Sequence, residues 1–486
     1  MNKITIGQIQ NAPIIDKNIY GHFSEHLGHC IYGGIFVGKD SPIPNVNGMR
    51  TDVVEAMKRL KVPVLRWPGG CFADEYHWRD GVGKERRRMV NTNWGGTVED
   101  NSFGTHEFME LCRQVGCAPY VNINVGSGTV REMAEWVEYM NSDGDSTTVR
   151  ERWANGRKAP FDVKYWGIGN ENWGGGGNMR PEYYADVYRQ FQTYCRTYGD
   201  NVPYKIACGP DTANYEWTEV LMRNAGNYMD ALTLHYYTIT KEWADKGSAT
   251  DFDDALYFET LRKANYMDEL ITKHSAIMDR YDPTRRVALL VDEWGCWHNV
   301  EPGTNPGFLY QQNAMRDAMV AALSLNIFNR HSARVRMTNI AQVVNVLQSI
   351  ILTDDEKMVL TPTYHVFDLF KGHMDAELMQ CMLECPKLEN GMERLSVSAS
   401  QKNGVITLTI ANFTDETAVQ VEGIHARRIS ARVLSATPQA YNSFDAPNRV
   451  SPEVFNRFET TESGINLTMP ACSIVSLSFD VNHPDI

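Results

Sequence analysis

Short apolar strands alternate with amphipathic helices between about residue 18 and about residue 375, and this alternation constrains the fold most strongly. The predicted strands carry the sequences YGHFSEH, VPVLRW, APYVNINV, VKYWGIGNE, YKIACGP, ALTLHYY, VALLVDEW and IAQVVNV. The stretches between them, such as DVVEAMKRL and THEFMELCRQVG, repeat apolar residues three and four positions apart, which indicates helices. Eight such β–α units predict a parallel sheet that closes into a (β/α)8 TIM barrel, with an open doubly wound sheet as the alternative.

After about residue 385 the hydrophobic pattern changes to a period of two. The segment RLSVSASQKNGVITLTIANF alternates on both sides of Asn403-Gly404, a pair typical of a type I′ hairpin turn, and ISARVLSA, INLTM and SIVSLSFDV continue the pattern. The N-terminal segment KITIGQ fits as an added strand. We therefore predict a catalytic barrel over residues 18–375 and an antiparallel, jelly-roll-like β-sandwich built from residues 1–17 and 376–486.

The composition argues against several classes of partner. The 486 residues carry a net charge of -13, and an acidic surface repels nucleic-acid phosphates and anionic membranes. No apolar run approaches the roughly 18 residues of a spanning helix, and the N-terminus shows no signal-peptide pattern. The ten cysteines include no C-x-x-C pair, which disfavours a structural zinc site. We expect a cytoplasmic protein without nucleic-acid or membrane partners.

Two glutamates end predicted strands four and seven, where barrel enzymes place their catalytic groups. Asn170 and Glu171 lie in YWGIGNENW, and Asp292 and Glu293 lie in ALLVDEWGCWH. Glycoside hydrolysis needs two carboxyl groups, one to protonate the leaving oxygen and one to attack or stabilise the sugar cation, and the amide of Asn170 could hold a sugar hydroxyl. Neighbours on a strand point to opposite sides, so we expect only one of Asp292 and Glu293 to face the barrel interior.

Other strand ends place polar and aromatic groups around the same mouth. Arg66, which precedes the Pro-Gly-Gly turn of LRWPGGCF, could orient a carboxylate with its planar guanidinium, and Cys71 follows that turn. Tyr237 in LHYYT could hold an ionised nucleophile by a hydrogen bond. Further candidate sugar contacts are Glu25 after strand one, Trp94 in a loop and Gln342 in IAQVVNV.

The stretch GHFSEHLGH offers a different chemistry. It holds His22, Glu25 and His26 in the order H-x-x-E-H, the pattern of a zinc peptidase helix. Gly21 and Gly28 crowd this stretch, and each glycine costs a helix interior about 1 kcal/mol. On a strand and loop the two histidines would not share a face. A zinc hydrolase therefore stays an alternative, and we predict no metal and no cofactor.

At these positions the chain resembles glycoside hydrolase family 51, the retaining α-L-arabinofuranosidases. The resemblance rests on GHFSEHLGHCIYGGIF, LRWPGGCFADEYHWRDGVG, WGIGNENWG, VDEWGCWH and NIAQVVNVLQSIILT, between about residues 18 and 370. It implies that Glu171 is the general acid/base and that Glu293 is the nucleophile. It also implies a terminal arabinofuranose held by Glu25, Arg66, Cys71, Asn170, Tyr237, Trp297 and Gln342.

The resemblance implies an exo-acting enzyme that releases terminal non-reducing α-L-arabinofuranosyl residues from arabinan or arabinoxylan fragments with retention of configuration. It also implies a cytoplasmic hexamer that needs no cofactor. The alternatives are another retaining glycosidase on the same barrel, such as a β-xylosidase or an endoglucanase, the zinc hydrolase, and a non-catalytic carbohydrate-binding protein. Linkage preference depends on the shapes of loops such as residues 84–104 and 295–310.

Overall fold

In a computed structural model, the protein is described at residues 2–424 and 428–481. Eight parallel strands close into a barrel in chain order, with strand eight beside strand one. These barrel strands one to eight are Gly21–Phe23, Val64–Trp67, Ala118–Ile123, Tyr165–Ile168, Tyr204–Ala207, Ala231–Thr238, Ala288–Cys296 and Val335–Ile340. The closed parallel sheet confirms the predicted (β/α)8 fold, and the open doubly wound alternative is wrong.

Helices surround the barrel. They are Thr51–Leu60, Thr105–Val115, Val130–Asn141, Thr147–Ala154, Pro181–Tyr194, Tyr215–Ala225, Asp254–Tyr281, Met315–Arg330 and Pro362–Phe370. Sequence periodicity missed Val130–Asn141, Thr147–Ala154 and Pro362–Phe370, although the first two begin at a hydroxyl cap. Thr129 accepts a hydrogen bond from the backbone N–H of Glu132, and Ser146 from that of Val149. Such caps satisfy backbone donors that would otherwise lack a partner at the helix start. None of the helices in the described ranges combines the length and the apolar character that a membrane crossing requires.

Barrel strand eight differs from its prediction. The strand is Val335–Ile340, whereas the predicted segment IAQVVNV covers residues 340–346. The apolar side chains of Val343 and Val344 are fully buried in the loop that follows the strand. Their hydrophobicity therefore reflects packing rather than strand pairing. Gln342 lies two residues past the strand end, at the barrel mouth.

Eleven further strands of the described chain form a mainly antiparallel β-sandwich with its own apolar core, as predicted. They are Lys3–Gly7, Ile14–Ile15, Ala376–Glu384, Leu395–Lys402, Val405–Asn412, Thr417–Glu422, Arg428–Ser435, Glu453–Val454, Phe458–Thr460, Gly464–Met469 and Ser473–Asp480. The N-terminal strand Lys3–Gly7 pairs with Ala376–Glu384, nine residues of strand that precede the change of pattern noticed at about 385. Asn403 and Gly404 form the predicted hairpin turn, both with positive φ. Residue 1, residues 425–427 and residues 482–486, all within the predicted sandwich unit, lie outside the described residues.

Candidate active site

A cavity of about 350 Å³ opens at the carboxyl ends of the barrel strands. Among its lining residues are the predicted site residues Glu25, Cys71, Trp94, Glu171, Tyr237, Glu293, Trp297 and Gln342. The other two predicted residues, Arg66 and Asn170, are buried directly behind this lining, and the guanidinium of Arg66 contacts both Asn170 and Glu293. The fold thus brings every predicted site residue to one place.

Glu171 lies three residues past the end of barrel strand four. Its backbone has a φ of 44°, a left-handed conformation that is uncommon for a glutamate and costs of order 1 kcal/mol. The N–H groups of Gly174 and Gly176 donate to the carbonyl of Glu171 at 2.7 and 3.2 Å, which holds this turn in place. The glycine run after the strand therefore fixes the direction in which the carboxyl group enters the cavity.

Glu293 receives hydrogen bonds on both carboxylate oxygens. Nη1 of Arg66 donates to Oε1 at 2.9 Å, and the hydroxyl of Tyr237 donates to Oε2 at 2.8 Å. The neighbouring Tyr236 donates instead to the carbonyl of Lys263, outside the cavity. Two donors directed at a largely buried carboxylate stabilise its negative charge, and this arrangement identifies Tyr237 as the tyrosine of LHYYT that serves the site.

His235 is a central member of the site that the sequence analysis did not assign. Its Nδ1 lies 2.8 Å from Oε1 of Glu171 and 3.6 Å from Oε2 of Glu293, and its Nε2 lies 3.1 Å from Oδ1 of Asp292. Burial acts to lower the pKa of His235, but the charges of Glu293 and Asp292 raise it well above its ordinary value. Its position in the sequence could have indicated this role, because His235 lies two residues before Tyr237 and shares its face of the strand.

Asp292 and Glu293 both face the barrel interior, so the prediction that only one could do so is wrong. Barrel strands six and seven pair regularly up to Leu290, and the pairing resumes at Glu293 after strand seven has gained one extra residue. This β-bulge interrupts the alternation of side chains, because two residues of one strand oppose a single residue of its neighbour. Neighbouring carboxylates can therefore serve the same site.

Asp292 lies beneath the cavity and is fully enclosed. Its carboxylate accepts a hydrogen bond from the hydroxyl of Tyr120 at 2.8 Å and lies 3.3 Å from Nε of Arg66. Burial alone would raise the pKa of Asp292, but the charges of Arg66 and His235 lower it below its ordinary value. An ionised Asp292 accordingly holds the ring of His235 towards Glu171.

The carboxyl groups of Glu171 and Glu293 approach each other closely. One oxygen of each, together with a ring nitrogen of His235, forms a set whose members lie within 4.8 Å of one another. Burial raises the pKa of Glu171, the hydrogen bond from His235 opposes this rise, and the charge of Glu293 adds to it. The site therefore contains one carboxyl group that favours its proton beside one whose negative charge is stabilised by donors, the arrangement that acid and nucleophile require.

Glu25 is the centre of a second group of hydrogen bonds at the cavity wall. Its carboxylate accepts hydrogen bonds from Nε1 of Trp94 at 3.0 Å, from the backbone N–H of Phe72 at 3.1 Å and from Nε2 of Gln342 at 2.9 Å. Burial and the charge of Glu293 raise the pKa of Glu25 to about 7. Glu25 thus fixes both an aromatic ring and an amide at the cavity surface.

The Pro-Gly-Gly turn is required because the backbone passes very close to these carboxyl groups. A Cβ atom added at Gly69 would lie 2.6 Å from Cγ of Glu25, and one added at Gly70 would lie 2.7 Å from Oε1 of Glu293. Real Cβ atoms essentially never make such contacts, so a larger residue would displace the carboxylates.

Several polar groups at the cavity have unused hydrogen-bonding capacity. Nδ2 of Asn170 and Oε1 of Gln342 are buried without a partner among the described residues. The thiol of Cys71 lies 3.7 Å from Oε2 of Glu171, and burial raises its pKa well above the ordinary value, so it stays protonated. Unpaired buried polar groups are costly, and a ligand rich in hydroxyls would satisfy them.

Aromatic rings form the outer part of the cavity. Trp297 packs edge-on against Tyr237, with ring centroids 5.2 Å apart, and against Trp243 at 5.1 Å. Trp243 is 67% exposed. Apolar ring faces beside convergent polar groups are typical of sites for small polar molecules.

The histidines of the H-x-x-E-H pattern do not form a metal site. His22 is fully buried against the ring of Phe367, and burial lowers its pKa to about 3. Nδ1 of His26 faces Glu99 at 3.3 Å, and its Nε2 accepts from the indole of Trp67. Neither histidine belongs to a group of three or more potential ligands within residues 2–424 and 428–481. The zinc alternative therefore has no support in the geometry.

Comparisons with known proteins indicate one enzyme family. The chain matches the family models "Alpha-L-arabinofuranosidase 1 domain" over residues 56–255 and "Alpha-L-arabinofuranosidase C-terminal domain" over residues 292–473. It is similar to an intracellular exo-α-L-arabinofuranosidase of Bacteroides ovatus, with 52% identity over 486 residues that cover 98% of this chain and 95% of the relative.

Solved structures give the same result. The fold is similar to that of the GH51 arabinofuranosidase from Xanthomonas axonopodis pv. citri, with a TM-score of 0.95, 48% identity, and coverage of 99% of this chain and 100% of the other. It is also similar to an α-L-arabinofuranosidase from Thermotoga maritima, solved as an arabinose complex, with a TM-score of 0.87, 29% identity, and coverage of 99% and 100%.

Proposed function

Because the chain belongs to the α-L-arabinofuranosidases of glycoside hydrolase family 51, we propose that it is an exo-acting enzyme that releases terminal α-L-arabinofuranosyl residues from arabinan or arabinoxylan fragments by a retaining mechanism. The observation that carries the mechanism is the approach of the Glu171 and Glu293 carboxyl oxygens to within 4.8 Å. Retaining glycosidases keep their carboxyl groups about 5–5.5 Å apart, whereas inverting enzymes leave about 6.5–9.5 Å for a water molecule. The short separation supports retention.

In the first step, the ionised Glu293 attacks the anomeric carbon and Glu171 donates its proton to the departing oxygen. Arg66 and Tyr237 hold the attacking carboxylate in place through the hydrogen bonds described above. The raised pKa of Glu171 supports its role as the acid, because the group keeps its proton to a higher pH than an ordinary glutamate does.

In the second step, Glu171 deprotonates a water molecule that attacks the glycosyl ester, which releases arabinose and restores the carboxylate of Glu293. Formation of the ester removes the negative charge of Glu293, which is one cause of the raised pKa of Glu171. The pKa of Glu171 therefore falls in the intermediate, and the same group can act as a base. The NH₂ group of Asn170, which has no partner among the described residues, and the carboxylate of Glu25 are available to hold sugar hydroxyls in both steps.

One measurement tests this function directly. Hydrolysis of an aryl α-L-arabinofuranoside, followed by NMR, should release L-arabinose that is initially in the α configuration. A panel of aryl β-xylosides and β-glucosides separates the proposed activity from the alternatives of a β-xylosidase or an endoglucanase on the same barrel. Initial formation of the β anomer would contradict the retaining mechanism.

The pH dependence of kcat/KM should respond to His235. The acid form of Glu171 is active, so activity falls as pH rises through the pKa of Glu171. The hydrogen bond and charge of His235 lower that pKa. His235→Asn should therefore move the basic limb of the profile towards higher pH, in addition to reducing kcat. His106→Asn, a substitution on the remote helix Thr105–Val115, serves as the control and should leave the limb in place.

Metal removal should leave the activity unchanged. The proposed steps use carboxyl groups alone, and His22 and His26 are engaged in packing and hydrogen bonding elsewhere. Dialysis against EDTA followed by assay is the measurement, with elemental analysis of the protein before and after. If activity were lost and zinc restored it, the result would support the alternative of a zinc hydrolase.

The proposal also covers the cellular location, the oligomeric state and the division into domains. A cytoplasmic location is supported by the word "intracellular" in the name of the Bacteroides ovatus relative. A homohexamer rests on the family resemblance, and sedimentation analysis tests it. The division into a catalytic unit at residues 18–375 and a sandwich unit at residues 1–17 and 376–486 is supported by the pairing of Lys3–Gly7 with Ala376–Glu384.

A further inference from the structure

Trp94 reaches the cavity on a short hairpin that is not part of a larger sheet. The hairpin strands Met89–Val90 and Val98–Glu99 pair only with each other within the described chain. Val90 and Val98 are 54% and 52% exposed, so the hairpin does not bury these side chains. An isolated two-stranded hairpin is marginally stable in water. The position of the Trp94 ring therefore depends on contacts with the surrounding protein. Some lie at the turn, where Nδ2 of Asn305 donates to the carbonyl of Gly95 at 3.2 Å, and others lie at the base of the hairpin.

The contacts at the base converge on the carboxylate of Glu99, which is 6% exposed. Nδ2 of Asn91 donates to Oε1 of Glu99 at 3.1 Å and to the carbonyl of His26 at 2.7 Å. Oδ1 of Asn91 accepts from the backbone N–H of Trp94 at 3.0 Å. Oε2 of Glu99 lies 3.3 Å from Nδ1 of His26. One buried carboxylate thus connects the turn that carries Trp94 to the loop after barrel strand one.

The tautomer of His26 decides which group donates the hydrogen bond between His26 and Glu99. The indole nitrogen of Trp67 can only donate, and it lies 3.2 Å from Nε2 of His26. Nε2 must therefore be the acceptor, so the proton of a neutral ring lies on Nδ1 and is donated to Glu99. His26 directly follows Glu25, which accepts a hydrogen bond from the Trp94 ring. The hairpin is consequently tied at its base and at its tip to two adjacent residues of the chain.

We propose that Glu99, through His26 and Asn91, is a positioning residue for Trp94 and thereby sets how tightly the enzyme holds the terminal sugar. This inference rests on the proposed function of the cavity. Glu99 does not line the cavity, and its effect reaches the sugar only through the tryptophan. It gives His26, which belongs to the H-x-x-E-H pattern but takes no part in the mechanism, a role in substrate affinity.

The test is Glu99→Gln, which keeps the size of the side chain. Glu99 accepts a hydrogen bond on each oxygen, whereas a glutamine amide has one oxygen and one NH₂ group. In either orientation the NH₂ group meets a donor, from His26 or from Asn91, so one contact is necessarily lost. We expect KM for an aryl α-L-arabinofuranoside to rise about tenfold, the effect of one lost buried hydrogen bond, with kcat changed much less.

A double-mutant cycle with Trp94→Phe shows whether the effect passes through the tryptophan. If it does, Glu99→Gln should raise KM in the wild-type background and change it little in the Trp94→Phe background. Glu75→Gln is the matched control, because it removes the same negative charge from a solvent-exposed contact with the same hairpin. There the hydroxyl of Thr92 donates to the carboxylate of Glu75. Asn91→Ser, which removes the other connection at the hairpin base, should raise KM in the same direction and provides a second variant if Glu99→Gln does not fold.

The outcomes are distinct. An unchanged KM for folded Glu99→Gln, or equal increases in both backgrounds, would overturn the positioning role while leaving the proposed function intact. A fall in kcat with unchanged KM would likewise overturn it. A wild-type protein without activity on arabinofuranosides would instead refute the proposed function on which the inference rests.

Discussion

Glu293→Ala should reduce kcat by about 10⁴-fold or more, because removal of a nucleophile eliminates the covalent route and leaves only binding and acid catalysis. The loss should be similar for activated and unactivated arabinofuranosides, since both need the same attack. The protein should remain folded, because the substitution relieves the buried charge that also raises the pKa of Glu25 and Glu171. Steady-state kinetics and a thermal unfolding curve measure both expectations.

Azide provides the positive test of the same assignment. The space vacated in Glu293→Ala admits a small anion on the face that the carboxylate occupied, so azide should restore turnover of an activated substrate. The product should be the β-configured glycosyl azide, inverted relative to the substrate. Glu269→Ala, at an exposed helical position, is the control and should need no rescue. Failure of azide to restore turnover in the folded variant would count against a nucleophilic Glu293.

Glu171→Ala should have the second-largest effect, and the effect should depend on the leaving group. For poor leaving groups, loss of the acid should reduce kcat/KM by roughly 10²–10⁴-fold, whereas activated aryl leaving groups depart without a proton and should lose far less. The basic limb of the pH profile, which reports the raised pKa of Glu171, should disappear. A series of aryl arabinofuranosides of graded leaving-group pKa is the measurement.

The stereochemistry of azide rescue distinguishes the two glutamates within one experiment. In Glu171→Ala the covalent intermediate still forms, and azide then attacks it from the opposite face, so the glycosyl azide should have the retained α configuration. Equal losses for good and poor leaving groups, or an inverted azide product, would contradict the assignment of Glu171 as acid/base.

The positions of the two carboxyl groups could be predicted from sequence because the relevant signals are local. A strand of a parallel barrel ends where its apolar run ends, and catalytic groups follow those ends. That rule located Glu171, Glu293 and Glu25 without any structure. It was less accurate for strand eight, where the buried loop residues Val343 and Val344 imitate a strand, although Gln342 still lies at the mouth.

The fold class could be predicted for the same reason. Both periodicities, three to four in the helices and two in the sandwich strands, arise from residues that are close in the chain. Helices with weaker periodicity, such as Thr147–Ala154, were missed even though their caps are visible in the sequence.

The chain by itself therefore determined the architecture, the two carboxyl groups and about half of the residues that line the cavity. Each of these follows from the periodicity of neighbouring residues or from the end of a strand. Such features depend on the geometry of helices and strands. That geometry is the same in every barrel of this type, so a local sequence pattern is enough to predict them.

Only the tertiary structure decided how those groups are tuned. The bulge that turns Asp292 towards His235 depends on how strand seven pairs with strand six, and alternation along one strand cannot reveal it. The tautomer of His26 depends on Trp67, 41 positions away, and on Glu99, 73 positions away. Hydrogen-bond direction and charge in a buried site are set by the atoms that surround each group in space, and chain neighbours supply few of those atoms.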